Sequence, residues 1–252
     1  MAFLDAAPPV AFAHRGFAPD GAENSMAAFE RAVGLGYRYL ETDIRVTADG
    51  VALAFHDARL DRVTDRRGRI ADLPWSAVSR ARIAGREPIP RLIELLDAWP
   101  DVRINLDVKD GRGIAPTVEA IHRTGARDRV CVGAFATRRV RAVRELVGAG
   151  LCTSLGPREV LALLGPERPE RRRRPERWHG RCAQLPARLG RRPFVDARLL
   201  GRAHRLGLPV HVWTVNDPDE MTRLLDLGVD GIMTDRADLL RDLLLSRGQW
   251  RG

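Results

Sequence analysis

Lysine is nearly absent from this chain: among 42 Lys and Arg residues, Lys109 is the one lysine. So lopsided a ratio is a habit of the whole sequence. The net charge of +9 therefore reads as a general surface property, not as a nucleic-acid footprint. Aromatic residues are also few, at 6%, and the densest basic run has only Trp178 interleaved with it, which excludes a base-stacking platform. Cysteine occurs three times, at Cys131, Cys152 and Cys182, each in an apolar segment. That excludes a disulfide framework and a zinc-type ligand spacing, and predicts buried, reduced thiols. No apolar run approaches the ~20 residues that a membrane span needs. The opening stretch, Met1 to Val10, lacks a basic n-region and a long h-region. Together these absences predict a cytoplasmic protein with no membrane span and no nucleic-acid partner.

What is present is a chain of 252 residues, 44% apolar, long enough for one large α/β domain. Short β-rich runs alternate with amphipathic helical runs from Val10 to Ser246. Setting aside the ribbon Val51–Phe55, the alternation amounts to about eight β/α units, which predicts a closed (β/α)₈ TIM barrel. No Gly-rich loop follows the first strand, which argues against a dinucleotide-binding open sheet. Residues from about 57 to 90 break the alternation and predict a small cap inserted after the second barrel strand, within a single domain spanning 1–252. The run Glu167–Arg181, with Arg171-Arg172-Arg173-Arg174 at its centre, reads as a solvated loop, with an anionic docking patch as the alternative.

One pattern near the start carries most of the chemistry: His14-Arg15-Gly16, Glu23-Asn24, Glu41-Thr42-Asp43 and His56-Asp57. On a strand, residues i and i+2 share a face, so Glu41 and Asp43 converge. Carboxylates that close repel unless a cation or a shared proton lies between them, and Ca²⁺ or Mg²⁺ takes oxygen ligands. Histidines on either side are suited to moving protons near neutral pH. Asn105-Leu106-Asp107-Val108-Lys109 repeats the spacing, offering a third carboxylate and a point charge for phosphate. His14, Glu41, Asp43, Asp107, Lys109 and Trp213 all fall at or near predicted strand ends, where barrel enzymes keep their chemistry. A bland alternative pairs Glu41 and Asp43 with Arg15 and Arg45 on the rim. Trp213 is either a packed indole or a substrate wall, and Gln184 ends a strand facing the same pocket. His122 and His204 in helices, His179 in the charged run and His211 in the core read as structural.

These motifs, with Arg62-Val63-Thr64-Asp65, Asp107-Val108-Lys109, Trp213-Thr214-Val215-Asn216 and Gly231-Ile232-Met233-Thr234-Asp235, resemble the glycerophosphodiester phosphodiesterase family over essentially the whole chain. The resemblance implies a TIM barrel that hydrolyses glycerophosphodiesters to glycerol 3-phosphate and an alcohol, using Ca²⁺ or Mg²⁺. It implies Glu41, Asp43 and Asp107 as metal ligands, His14 and His56 as the acid/base pair, and Arg15, Lys109 and Trp213 as substrate contacts. It also suggests attack by the neighbouring glycerol hydroxyl, giving a cyclic phosphate that water opens. Two positions depart from the family pattern: Asp107 stands where glutamate is common, and Gly133-Ala134-Phe135 lacks the usual serine. Competing expectations are a phospholipase D-like activity on lysophospholipids or sphingomyelin, and a non-catalytic phosphodiester-binding module. The polar 57–90 insertion favours a small soluble diester over a lipid.

Overall fold

In the computed structural model, residues 2–165 and 179–252 are described. Most of the arginine-rich run lies outside them. The first half of the chain runs β1 (Val10–His14), α1 (Met26–Gly34), β2 (Tyr39–Val46), β3 (Ala52–Ala54), α2 (Trp75–Val78), β4 (Arg82–Ile83), β5 (Glu87–Pro88), α3 (Leu92–Ala98) and β6 (Arg103–Val108). It continues with α4 (Ile114–Arg123), β7 (Val130–Gly133), α5 (Thr137–Val147), β8 (Cys152–Thr153) and α6 (Pro157–Leu164). The second half holds β9 (Ala183–Pro186), β10 (Arg188–Leu189), β11 (Arg192–Pro193), α7 (Ala197–Arg205), β12 (Val210–Trp213), α8 (Pro218–Leu227), β13 (Gly231–Thr234) and α9 (Ala237–Ser246).

Among the described residues, eight parallel strands follow one path, β8-β7-β6-β2-β1-β13-β12-β9. Its two edges meet through a parallel bridge between Ser154 and Cys182, where the Leu155 N–H donates to the Cys182 carbonyl at 2.8 Å. The expected (β/α)₈ barrel is therefore present. Side-chain alternation divides each strand. Leu40, Ile44, Ile104, Leu106, Val130 and Val132 face outward and join Leu92, Leu95, Ile121 and Val143 of the helices in one core. A second outward core forms on the far side around Val210, Val212, Leu224 and Leu240. The inward set includes Phe12, Tyr39 and Met233, which close the barrel floor with Phe3.

Helix starts follow from capping chemistry. The Ser25, Asp196 and Asp217 side chains each accept a backbone N–H from the first turn, and Pro218 opens α8 where no donor is needed. The chain leaves the ladder after Gly133, and Phe135 turns out into the mouth, 65% exposed. The insertion has its own small core of Leu60, Ile70, Val78, Ala81, Ile83 and Ile89. Through β3, antiparallel to β2, it is tied to the barrel beside the mouth, and none of residues 58–90 lines the cavity described next.

Candidate active site

The mouth is organised by the turn that ends β1. Arg15 adopts φ 57° and Gly16 φ 81°, so the chain reverses immediately after His14. A side chain at Gly16 would place its Cβ 2.6 Å from the Ala28 backbone carbon of α1, so only glycine fits this close approach. The Arg15 N–H then donates to the Glu41 carbonyl (3.0 Å), and the Asn24 N–H donates to the Arg15 carbonyl (2.9 Å). Asn24 also sits at φ 57° and is buried. Its amide donates to Asp43 (3.1 Å) while its carbonyl oxygen accepts from Thr42 (2.7 Å).

Strand register assembles the carboxylates. His14, Glu41 and Asn105 are successive ladder partners, and one layer above, Asp43 pairs with Asp107 and Asp107 with Gly133. All three carboxylates are buried. Lys109 bridges two of them, its Nζ lying 2.6 Å from Asp43 Oδ1 and 2.6 Å from Asp107 Oδ2. Arg15 Nε lies 2.9 Å from Asp43 Oδ2, while the other end of the guanidinium donates to Glu23 (2.9 Å). Burial raises the Asp43 pKa, but Lys109 and Arg15 outweigh it and hold the group below its usual range. Glu41 has neither a lysine nor an arginine side chain bridging it, only the Arg15 N–H (3.3 Å) and His14 Nε2 (3.7 Å). Burial, reinforced by Asp43, pushes it up to about 8. Burial also lifts Asp107 despite Lys109, and its Oδ1 has no hydrogen-bond partner. Of the bland pairings, Arg15 with Asp43 occurs, whereas Arg45 turns away to Asp110 (3.4 Å) and to the His56 carbonyl.

Each histidine has a carboxylate behind it. His14 Nδ1 is 2.6 Å from Asp235 Oδ1, leaving Nε2 to face Glu41 at 3.7 Å. Burial, which lowers the His14 pKa, is outweighed by Glu41 and Asp235, so the group is held above its ordinary value. His56 Nδ1 is 2.6 Å from Asp57 Oδ1, and Arg62 donates to Asp57 Oδ2 (2.6 Å) and Glu23 Oε1 (2.6 Å). A continuous chain of charge thus runs His56–Asp57–Arg62–Glu23–Arg15–Asp43.

These groups open on a cavity of about 580 Å³ that also receives Trp213. The strand-end residues singled out from sequence all line it: His14, Arg15, Glu41, Asp43, His56, Asp107, Lys109, Gln184 and Trp213. His122 and His204 are helical and His211 is buried in the barrel, where burial lowers its pKa to about 4. Sequence reasoning gave no role to Asp235, Asp57 or Asn105. Their signal was positional: Asp235 directly follows a barrel strand, Asp57 adjoins His56, and Asn105 is two residues before Asp107. The opposite wall is apolar, built by Phe135, Leu155, Leu161, Leu164, Leu189 and Phe194 around Trp213. The Phe135 and Trp213 rings meet edge to face, 5.6 Å apart.

The glycerophosphoryl diester phosphodiesterase family model matches residues 14–239. A Mycobacterium tuberculosis protein named "Probable glycerophosphodiester phosphodiesterase 2" is 44% identical, over 96% of this chain and 93% of that protein. Human "Lysophospholipase D GDPD1" is 28% identical, over 92% of this chain and 84% of its own length. Among solved structures, an Oleispira antarctica phosphodiesterase in complex with the product sn-glycerol-3-phosphate superposes with a TM-score of 0.78. It is 21% identical, with 94% of this chain and 97% of that chain covered.

The Asp57 environment makes a pH prediction. Hydrogen bonds from Arg62 and then His56 pull this carboxyl from 3.8 down to about 2. A depressed carboxyl stabilises the fold fully above pH 3.8 and loses that contribution as pH falls toward 2. Thermal melts of wild type and Asp57→Asn should therefore differ most above this window and converge within it. A gap independent of pH would show that Asp57 is not held this way.

Proposed function

Since this chain belongs to the glycerophosphoryl diester phosphodiesterase family, a family of phosphodiester-hydrolysing enzymes, we propose that it cleaves glycerophosphodiesters to glycerol 3-phosphate and an alcohol. The observation that carries the reading is the pair of carboxylate-backed histidines, His14 on Asp235 and His56 on Asp57, lining one cavity with three buried carboxylates. Glu41, Asp43 and Asp107 are the residues that would hold a divalent cation, Ca²⁺ or Mg²⁺. The fit is supported by the unpartnered, buried Asp107 Oδ1 and by the chemistry of the donor set, three buried carboxylates converging from one strand pair. When bound, such an ion neutralises charge on the phosphate oxygens.

The chain's own residues account for the rest. Asp235 and Asp57 fix each imidazole through Nδ1, which leaves Nε2 of His14 and of His56 as the atoms that take and return protons. Arg15 and Lys109 supply fixed positive charge to the phosphate. Chelation should abolish release of glycerol 3-phosphate from glycerophosphocholine, and added divalent ion should restore it. Full turnover after exhaustive chelation would overturn the metal assignment. His14→Ala and His56→Ala should each lower kcat by at least ~10²-fold while leaving the melting temperature within a few degrees. Near-normal kinetics in either variant would remove that residue from the proton path.

A second reading concerns the substrate. The polar insertion pointed to a small soluble diester, but the apolar wall opposite the carboxylates offers a surface for a hydrocarbon chain. A lysophospholipid presents a phosphodiester and an acyl chain to two such walls. Comparison of kcat/KM for lysophosphatidylcholine and glycerophosphocholine, measured below micelle formation, decides between them. Leu161→Glu should lower the first selectively, and equal losses on both substrates would refute the acyl-chain reading.

A further inference from the structure

All three cysteines of the chain converge. Cys131, Cys152 and Cys182 come from neighbouring barrel strands or their edges, all are buried, and their Sγ atoms lie within 4.8 Å of one another. Cys131 and Cys182 are 3.8 Å apart through sulfur. The cluster lies beneath the cavity: each cysteine stands two residues before one that lines it, Gly133, Ser154 or Gln184, and Cys131 is the ladder partner of Asn105 on one side and of Cys152 on the other. Phe3, Phe12, Tyr39 and Met233 pack around it. Alanine or valine would fill such a floor without an oxidisable group, so three thiols brought together from three parts of the chain call for a chemical account.

We propose that the barrel floor is a three-sulfur site for a soft, thiophilic ion of low coordination number, the class of trivalent arsenic and Cu(I). A sulfur–ion bond of about 2.3 Å puts the sulfurs about 4.0 Å apart around planar three-coordinate Cu(I) and about 3.4 Å apart around pyramidal trivalent arsenic, so the 3.8 Å between Cys131 and Cys182 needs only a small adjustment for either. Zinc is disfavoured because it takes four ligands in a tetrahedron, and among the described residues no histidine, aspartate or glutamate joins the three sulfurs. Soft thiolates select soft ions. Charge sharpens the choice. Arsenite, As(OH)₃, reacts with three thiols to form three As–S bonds and three waters, each thiol proton leaving with one hydroxyl and no electron transferred. The adduct is neutral and needs no counter-charge in an apolar floor, whereas Cu(I) on three thiolates leaves two negative charges buried.

The test uses the reduced full-length chain, incubated with arsenite, with Cu(I) or with Zn(II), and also refolded in their presence so that burial does not limit entry. Native mass spectrometry should show one arsenic per chain with the loss of three protons, and one Cu(I) per chain, with a raised melting temperature for both. Zn(II) should bind more weakly than either. Cys131→Ala, Cys152→Ala and Cys182→Ala should each abolish the three-proton arsenic adduct, with Cys→Ser variants standing in wherever the alanine form fails to fold. An arsenic adduct retaining a hydroxyl, which reports two thiols, would overturn the three-sulfur geometry. So would uptake unchanged in any single variant, tighter binding of Zn(II), or no adduct after refolding. None of these readouts depends on phosphodiesterase activity.

Discussion

Everything at the mouth of this barrel follows from burying three carboxylates within one strand pair and its neighbour. Asp43 and Asp107 are side by side in the ladder, and Glu41 sits one layer below on the same face. Their mutual repulsion and desolvation would expel them without compensating cations. Lys109 supplies the nearest charge, 2.6 Å from both aspartates, and Arg15 the next. Removing one partner from a buried ion pair typically costs about 3–5 kcal/mol, so this arrangement constrains the surrounding sequence strongly. Lys109 and Arg15 both serve the aspartates, so Glu41 is left with His14, whose Nε2 lies 3.7 Å away, as its nearest basic group.

Compensation spreads outward from there. Arg15 is held by Glu23, Glu23 by Arg62, and Arg62 by Asp57, which in turn orients His56. The insertion after the second barrel strand therefore reaches His56 through Arg62 and Asp57, although none of residues 58–90 lines the cavity. Its Arg62 fixes the carboxylate that fixes the imidazole. His14 is fixed independently by Asp235 at the end of the last strand, itself held by Asn216 at 2.7 Å. The two histidines are thus oriented by parts of the chain more than 170 residues apart in sequence, a separation bridged by closure of the barrel.

The barrel and the polar half of the site were legible in the sequence because both rest on local rules. Alternating β and α runs name the architecture, and the i, i+2 spacing of Glu41 and Asp43 places them on one face whatever the tertiary fold. Lys109 stood out by composition. Other features have no local signature. Asp235 becomes His14's partner only when β13 pairs with β1. The apolar wall draws Phe135 from the end of one strand, Leu161 and Leu164 from a helix, and Leu189 and Phe194 around a hairpin. The polar insertion is contiguous and could be weighed in the sequence, whereas the apolar wall, scattered over about sixty residues, could not. The cysteines read correctly as buried thiols, but their meeting point depends on Ser154 and Cys182 closing the sheet.

The backbone conformations at Arg15 and Asn24 complete the physical picture. Both are non-glycine residues in the left-handed region, a conformation that costs on the order of 1–3 kcal/mol each when held at a functional site. They are not independent, since Asn24 donates its N–H to the carbonyl of Arg15. Each departure turns a side chain onto Asp43: the Arg15 guanidinium from one side, the Asn24 amide from the other. A relaxed backbone at either position would swing that group away and leave Asp43 to Lys109 alone. With Lys109 drawn wholly to Asp43, the second aspartate would lose its cation as well. The strain in the turn after β1 is thus a consequence of the carboxylate cluster, and Gly16 is what allows the turn to seat against α1 while bearing it.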